Sequence, residues 1–155
     1  MPSLSRRQFI ALSGAALIAP RTAFAEAPLV SVGKDGVAIQ GYDSHAYWSL
    51  GAPQEGVETH VVVWNGVPWH FATAEDAALF AANPDSYAPR FGGFCTRAMS
   101  LKKVVDGDPE VWRIFEGALY LFAKPVGGRY FDKGQAEMIA KAQVHWDKLH
   151  GAGGS

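Results

Sequence analysis

The stretch THVVVWNGVPWHFATAEDAALFAANPDSY, residues 59–87, decides the reading of the fold. β-Branched and aromatic residues flank Asn65-Gly66, and both turn residues tolerate a positive φ, so the pattern predicts a two-residue β-hairpin. The turn sets the register. Trp64 opposes Val67, Val62 opposes Trp69 and His60 opposes Phe71 on one face, while Val61 opposes His70 and Val63 opposes Pro68 on the other. His60 and His70 then point to opposite sides and cannot share a metal ion. Pro68 has no N–H to donate, which places its strand at an edge. Thr73 stands where an N-cap belongs, with Glu75 and Asp76 in the first turn of the helix that follows. Ala77, Phe80 and Ala81 give that helix its apolar face, and Pro84 ends it.

The same logic extends outward in both directions. VWRIFEGALYLFA, residues 111–123, predicts a second hairpin turning at Glu116-Gly117, with Trp112, Ile114, Leu119 and Leu121 on one face. Ile139, Ala142, Trp146 and Leu149 recur at helical spacing, so residues 133–149 form an amphipathic C-terminal helix. In GYDSHAYW, residues 41–48, Asp43 caps a short helix that turns Ala46 and Tyr47 inward. A further short helix starts near Cys95. DGDPE, residues 106–110, has the look of a calcium loop but lacks its later glycine and glutamate, and reads as a turn. Beyond the two hairpins the sequence presents no internal repeat. Two antiparallel hairpins and short helices without βαβ alternation make a small single-domain α+β fold.

The N-terminal residues carry a different signal. SRRQFIAL, residues 5–12, opens an apolar run that stops at Ala19 and is followed by Pro20, Arg21 and Ala23-Phe24-Ala25. A charged start, a short apolar stretch and a small-x-small site describe a secretory leader, and Arg6-Arg7 with Phe9 and Ile10 match the twin-arginine pattern. The run is shorter than the roughly 20 apolar residues needed to cross a bilayer. Cleavage is expected after Ala25, leaving a periplasmic domain over residues 26–150, a flexible glycine-rich tail at 151–155 and no integral membrane anchor. Loss of Arg6, Arg7 and Arg21 takes Lys+Arg from 14 to 11 against 15 Asp+Glu, a formal charge of −4. A mildly acidic domain with no basic cluster along its sequence is expected to have no nucleic-acid partner. Hydrophobic residues at 48% and aromatics at 12% argue for a folded globule.

The hairpin and helix of residues 69–87 resemble the signature of the YHS domain family, with Phe71, Phe80, Pro84 and Tyr87 in register. The mature chain is similar to an exported branch of that family, with a G-Y-D-x-x-A-Y segment, a P-x-x-Y-A-P-x-x-G-G-x-C segment and a glycine-turn hairpin ending Leu-Tyr. The resemblance implies a YHS-like fold. Where metal-binding members carry cysteines, this chain has Ala46, Ala72 and Asp76, so the thiolate site of those members is absent. At the position of Cys95 the resemblance implies cysteine or selenocysteine in the exported branch, a pairing that points to reactivity.

Cys95 is the only cysteine, so no internal disulfide can form. Gly92 and Gly93 precede it, and a helix starting there would favour its thiolate, with Arg90 and Arg97 acting in the same direction. Met99 lies four residues on, and thiolate with thioether suits Cu(I) or a similar soft ion. His45 is the candidate third ligand. Cys95, Met99 and His45 are therefore the candidate metal ligands, and Cys95 is also the candidate redox residue. Each has a plainer reading: Cys95 and Met99 as core packing, His45 as a surface substitution, and His145 and His150 as solvated side chains. No Ser-His-Asp order, phosphate loop or H-E-x-x-H motif is present, which argues against an ordinary hydrolase or nucleotide enzyme. Two functions follow as expectations. One is an exported accessory protein with soft-metal binding or thiol-redox chemistry at Cys95. The other is a non-catalytic module that docks a periplasmic protein partner through Tyr42, Tyr47, Trp48 and Tyr87, with Cys95 in the core.

Overall fold

The computed structural model of the chain describes residues 29–151; the expected leader with its cleavage after Ala25, and the expected tail past Gly151, lie outside the described residues. Along the chain come a tight turn (Ile39–Gly41), α1 (Ala46–Ser49), β1 (Val57–Trp64), β2 (Val67–Phe71), α2 (Ala74–Ala82) and α3 (Pro84–Tyr87). A second turn (Arg90–Gly93), α4 (Thr96–Ser100), β3 (Asp108–Phe115), β4 (Ala118–Phe122), α5 (Pro125–Phe131) and α6 (Gln135–His150) follow. Among the described residues the strands form two separate antiparallel pairs, β1 with β2 and β3 with β4. The fold is α+β, with both expected hairpins and the C-terminal helix in place. No helix of the described residues is long and apolar enough to cross a membrane.

The second half repeats the first, which the sequence did not reveal. In β1–β2 the pairs run Val57↔Phe71, then Val61↔His70 through Trp64↔Val67. In β3–β4 they run Asp108↔Phe122, then Trp112↔Leu121 through Phe115↔Ala118, the same ladder with the same break. The turns match, with Asn65 and Gly66 at φ 50° and 76° and Glu116 and Gly117 at 47° and 73°. Upstream, Gly56 N–H donates to Gly41 O at 2.9 Å and Asp43 N–H to Gln54 O at 2.8 Å. Gly107 N–H donates to Gly93 O at 3.1 Å and Cys95 N–H to Val105 O at 2.8 Å. Phe80 meets Trp64, Trp69 and Phe71 with ring centroids 5.8, 5.1 and 4.9 Å away. Phe131 meets Phe115, Tyr120 and Phe122 at 5.9, 5.2 and 5.2 Å. Each half is thus a left-handed turn, a short helix, a hairpin and a helix that drops one phenylalanine onto the hairpin.

The repeated break corrects the expected partner of Phe71, which is Val57 and not His60. Residues 58–60 have no opposite number on β2. The reason lies at Gly56, whose N–H is tied to the left-handed turn and whose missing Cβ lets it approach the next strand. A Cβ there would lie 2.4 Å from the carbonyl carbon of His70. The start of β1 therefore follows the turn, and the hairpin ladder begins only at Val61. The same device corrects the reading of residues 106–110 as a turn: Asp106 bridges to Phe94 and Asp108 already opens β3. Pro84 does end α2, but it also starts α3 at N1, where its missing N–H costs nothing.

Each half has its own apolar cluster. The first gathers Ile39, Tyr47, Trp69, Phe71 and Phe80, together with Leu119 and Leu121 from the second half. The second gathers Phe91, Phe94, Met99, Tyr120, Phe122, Phe131 and Ala142 of α6. Strand β4 is buried at every residue, because its alternate side chains enter different clusters. Tyr47 OH donates to Pro109 O at 2.8 Å and Gln40 Nε2 to Gly107 O at 3.0 Å, which fastens the halves together.

Candidate functional site

Asp43 and Cys95 hold matching places ahead of the short helix of each half: Cys95 is the N-cap of α4, and Asp43 stands two residues before the N-cap of α1, His45. Asp43 is fully buried. One of its oxygens accepts the N–H groups of His45 and Ala46 at 2.8 and 3.2 Å, and the other accepts the N–H of Ala72 at 2.9 Å. The N-cap position of α1 falls on His45 and not on Asp43 as expected, but the Asp43 carboxylate still takes up the first N–H groups of that turn, and Ala46 and Tyr47 point inward as expected. Burial pushes the Asp43 carboxyl above its ordinary range. The three N–H groups pull it back only in part, and the neighbouring Asp76 adds to the rise.

Cys95 is 4% exposed, and its Sγ accepts the N–H of Ala98 at 3.4 Å, one hydrogen bond where Asp43 accepts three. The helix does begin where the sequence placed it. Its thiol, however, lies in the second apolar cluster with Phe91, Phe94 and Met99, and Met99 is fully buried. The Arg97 guanidinium is stacked over the Tyr130 ring, 3.5 Å from its centroid. Beside Cys95, the buried Thr96 hydroxyl has no hydrogen-bond partner.

His45 does not join the two sulfurs. It is buried, not a surface substitution, and its Nδ1 sits 2.6 Å from Asp76 Oδ1. A carboxylate can only accept, so the ring nitrogen that faces Asp76 is the donor, Nδ1–H. Thr73 Oγ donates to the other Asp76 oxygen at 2.7 Å and accepts the Asp76 N–H at 3.0 Å, which makes Thr73 the N-cap that the sequence indicated. The Tyr87 ring stands edge-on to His45 at 4.7 Å. The result is a rigidly oriented imidazole, held by a carboxylate 31 positions away in sequence. The T-x-x-D spacing of Thr73 and Asp76 was a signal for the cap, but nothing local pointed from it to His45. Of the three positions at which the YHS resemblance implies lost cysteines, Asp43 joins two through backbone, accepting the N–H groups of Ala46 and Ala72, while Asp76 is turned to His45. Among the described residues no group of three or more His, Cys, Asp or Glu side chains is arranged to hold a metal ion.

The aromatic docking face also changes composition. Tyr47 is 1% exposed with its hydroxyl spent on Pro109, so it belongs to the core. Tyr42, Trp48 and Tyr87 remain half-buried against the first cluster. Tyr42 OH donates to Glu110 at 2.9 Å, and that hydrogen bond, with burial and nearby carboxylates, pushes its hydroxyl up to about 12. His150 is not simply solvated, since its ring stacks on Trp146 at a 3.8 Å centroid distance.

Two open clefts were not legible from the sequence. One, of about 770 Å³, is bordered by Asp35, Glu55, Glu58 and Asp106 with Lys34 and His70. The other, of about 560 Å³, lies against α6 and is bordered by Lys102, Lys141, His145 and Lys148. Lys102, Lys141 and Lys148, far apart in sequence, are therefore gathered on one face. Comparison with protein-family models, with curated proteins and with solved structures finds no match to this chain.

Proposed function

We propose that the protein is an exported, non-catalytic binding module with a YHS-like fold, in which Cys95 is a structural residue. The observation that carries this reading is the burial of the Cys95 sulfur among apolar side chains, where it caps a helix as Asp43 does in the other half. A nucleophilic thiol needs access and an electropositive setting. Here the nearest arginine on the same helix is engaged with a tyrosine ring. The YHS-like reading draws on Phe71 and Phe80, two of its matched positions, packing ring to ring in the first core. Export rests on the twin-arginine pattern of residues 5–10.

The competing reading, a soft-metal or redox centre, draws on Cys95 and Met99 lying in one cluster. Its third member, His45, is committed to Asp76. A thiol-reactive chromophore added to folded protein separates the two. Under the binding-module reading Cys95 stays unreactive until denaturant is added, and Cu(I) competition gives the same curve for wild type and Cys95→Ala. Stoichiometric labelling of the folded protein, or a Cu(I) affinity that disappears in Cys95→Ala, overturns it.

A further inference from the structure

The basic cleft is built from two segments that the sequence keeps apart. Leu101 and Lys102, where the chain leaves α4, form one wall, and both are exposed, Leu101 to 56%. Across the cleft, α6 presents Lys141, Val144, His145 and Lys148, whose spacing of three, one and three residues puts them on one stripe of the helix. Val144 is 57% exposed. No carboxylate borders this cleft, although the chain as a whole carries a formal charge of −1. Lys141 alone has an acidic partner, Glu137 at 2.6 Å, in an exposed i,i+4 pair that contributes little.

Such a face asks for an anionic partner, and the aliphatic side chains decide which kind. A polyanion such as nucleic acid would meet the ammonium groups and leave Leu101 and Val144 in water. A bilayer with acidic headgroups meets both. Phosphates face the lysines while short aliphatic side chains enter the boundary between headgroups and acyl chains. Lysine stems can lie along that boundary with their charges in the headgroup layer. We propose that Leu101 and Lys102, with the Lys141, Val144, Lys148 stripe of α6, dock the protein on an anionic lipid surface. This names a partner for the binding module proposed above. It uses none of the observations at Cys95, so the thiol test and the lipid test can fail separately.

Cosedimentation of the full chain with phosphatidylcholine vesicles, with and without phosphatidylglycerol, tests the proposal. The expected result is binding that requires phosphatidylglycerol. Each lysine lost is expected to weaken partitioning about fivefold, so Lys102→Gln with Lys148→Gln lowers it about 25-fold. Leu101→Ser, at unchanged charge, lowers it about tenfold. These positions are exposed, so the urea midpoints of the variants stay at the wild-type value and a loss of binding is not a loss of fold. Because the apolar run of residues 9–19 is present in every sample, variants that bind as wild type overturn the proposal by assigning the binding elsewhere. Equal binding to vesicles without phosphatidylglycerol does the same. Loss in the lysine variants with none in Leu101→Ser overturns it in favour of a soluble polyanion or an acidic protein.

Discussion

Asp43→Ala and Cys95→Ala remove matching side chains from two copies of one unit, and the structure predicts very different costs. At Asp43 the truncation abolishes three hydrogen bonds to a buried carboxylate. Losing the cap of α1 costs about 1 kcal/mol. Stranding the Ala72 N–H inside the protein costs about 1–3 kcal/mol more. Relief of the buried charge returns part of this, and a net loss of about 3 kcal/mol is expected, a large share of a typical stability of about 5–15 kcal/mol. At Cys95 the truncation removes one N–H to sulfur contact and one buried heavy atom, for about 1 kcal/mol. Urea denaturation followed by tryptophan fluorescence reads both, provided the slope of the transition is unchanged. The pH dependence gives an internal check. A carboxyl whose pKa is raised on folding contributes stability that is fully present below its unfolded pKa and is lost as pH rises through the folded one. The gap between wild type and Asp43→Ala is therefore widest in acid and narrows toward neutrality. Equal losses at the two positions, or a gap that widens with rising pH, would refute the assignment of Asp43 as the buried cap.

Two other outcomes follow from the repeated unit and its surroundings. Gly56→Ala and Gly107→Ala each drive a Cβ to 2.4 Å from backbone, at the His70 carbonyl carbon and the Gly93 oxygen respectively. Each is expected to lower stability by about 3 kcal/mol or more, against near neutrality for Gly134→Ala, whose Cβ meets nothing within 4 Å, as read from thermal melts. Tyr42 is expected to ionise at about 12, and Glu110→Gln to bring that titration down, as followed by ultraviolet difference spectra. Since this pKa is raised on folding, the stability it contributes is complete below the ordinary tyrosine range and disappears as pH rises through about 12.

The hairpins were legible because Asn65-Gly66 and Glu116-Gly117 fix local geometry, and four of the five expected pairs of the first hairpin stand. The pairing of Phe71 with Val57 is set by the bond from Gly56 to Gly41, which no strand periodicity encodes. The duplication is not legible in the sequence because the halves share kinds of side chain more than identities. Trp64 answers to Phe115, Trp69 to Tyr120 and Asp43 to Cys95, and the loop after the short helix is one residue shorter in the second copy. Cys95 was legible as a helix start but not as a buried sulfur, since exposure depends on α6 folding back over it from 40 residues away. The pairing of His45 with Asp76 and the gathering of Lys102 with Lys141 and Lys148 are likewise products of packing between distant segments. Sequence spacing carries no record of them.

Strand β4 has a consequence for how the molecule can come apart. Leu119 and Leu121 face one cluster while Tyr120 and Phe122 face the other, so a single strand is the wall between two rooms. In the first half the matching positions are Pro68 and His70, which stay partly open to solvent. Melting of either half must therefore strip one side of β4 and expose its leucines or its aromatics to water. Duplication ordinarily yields modules that can be cut apart and kept. Here the second copy has lent its strand to the first, and the two copies have become one cooperative unit.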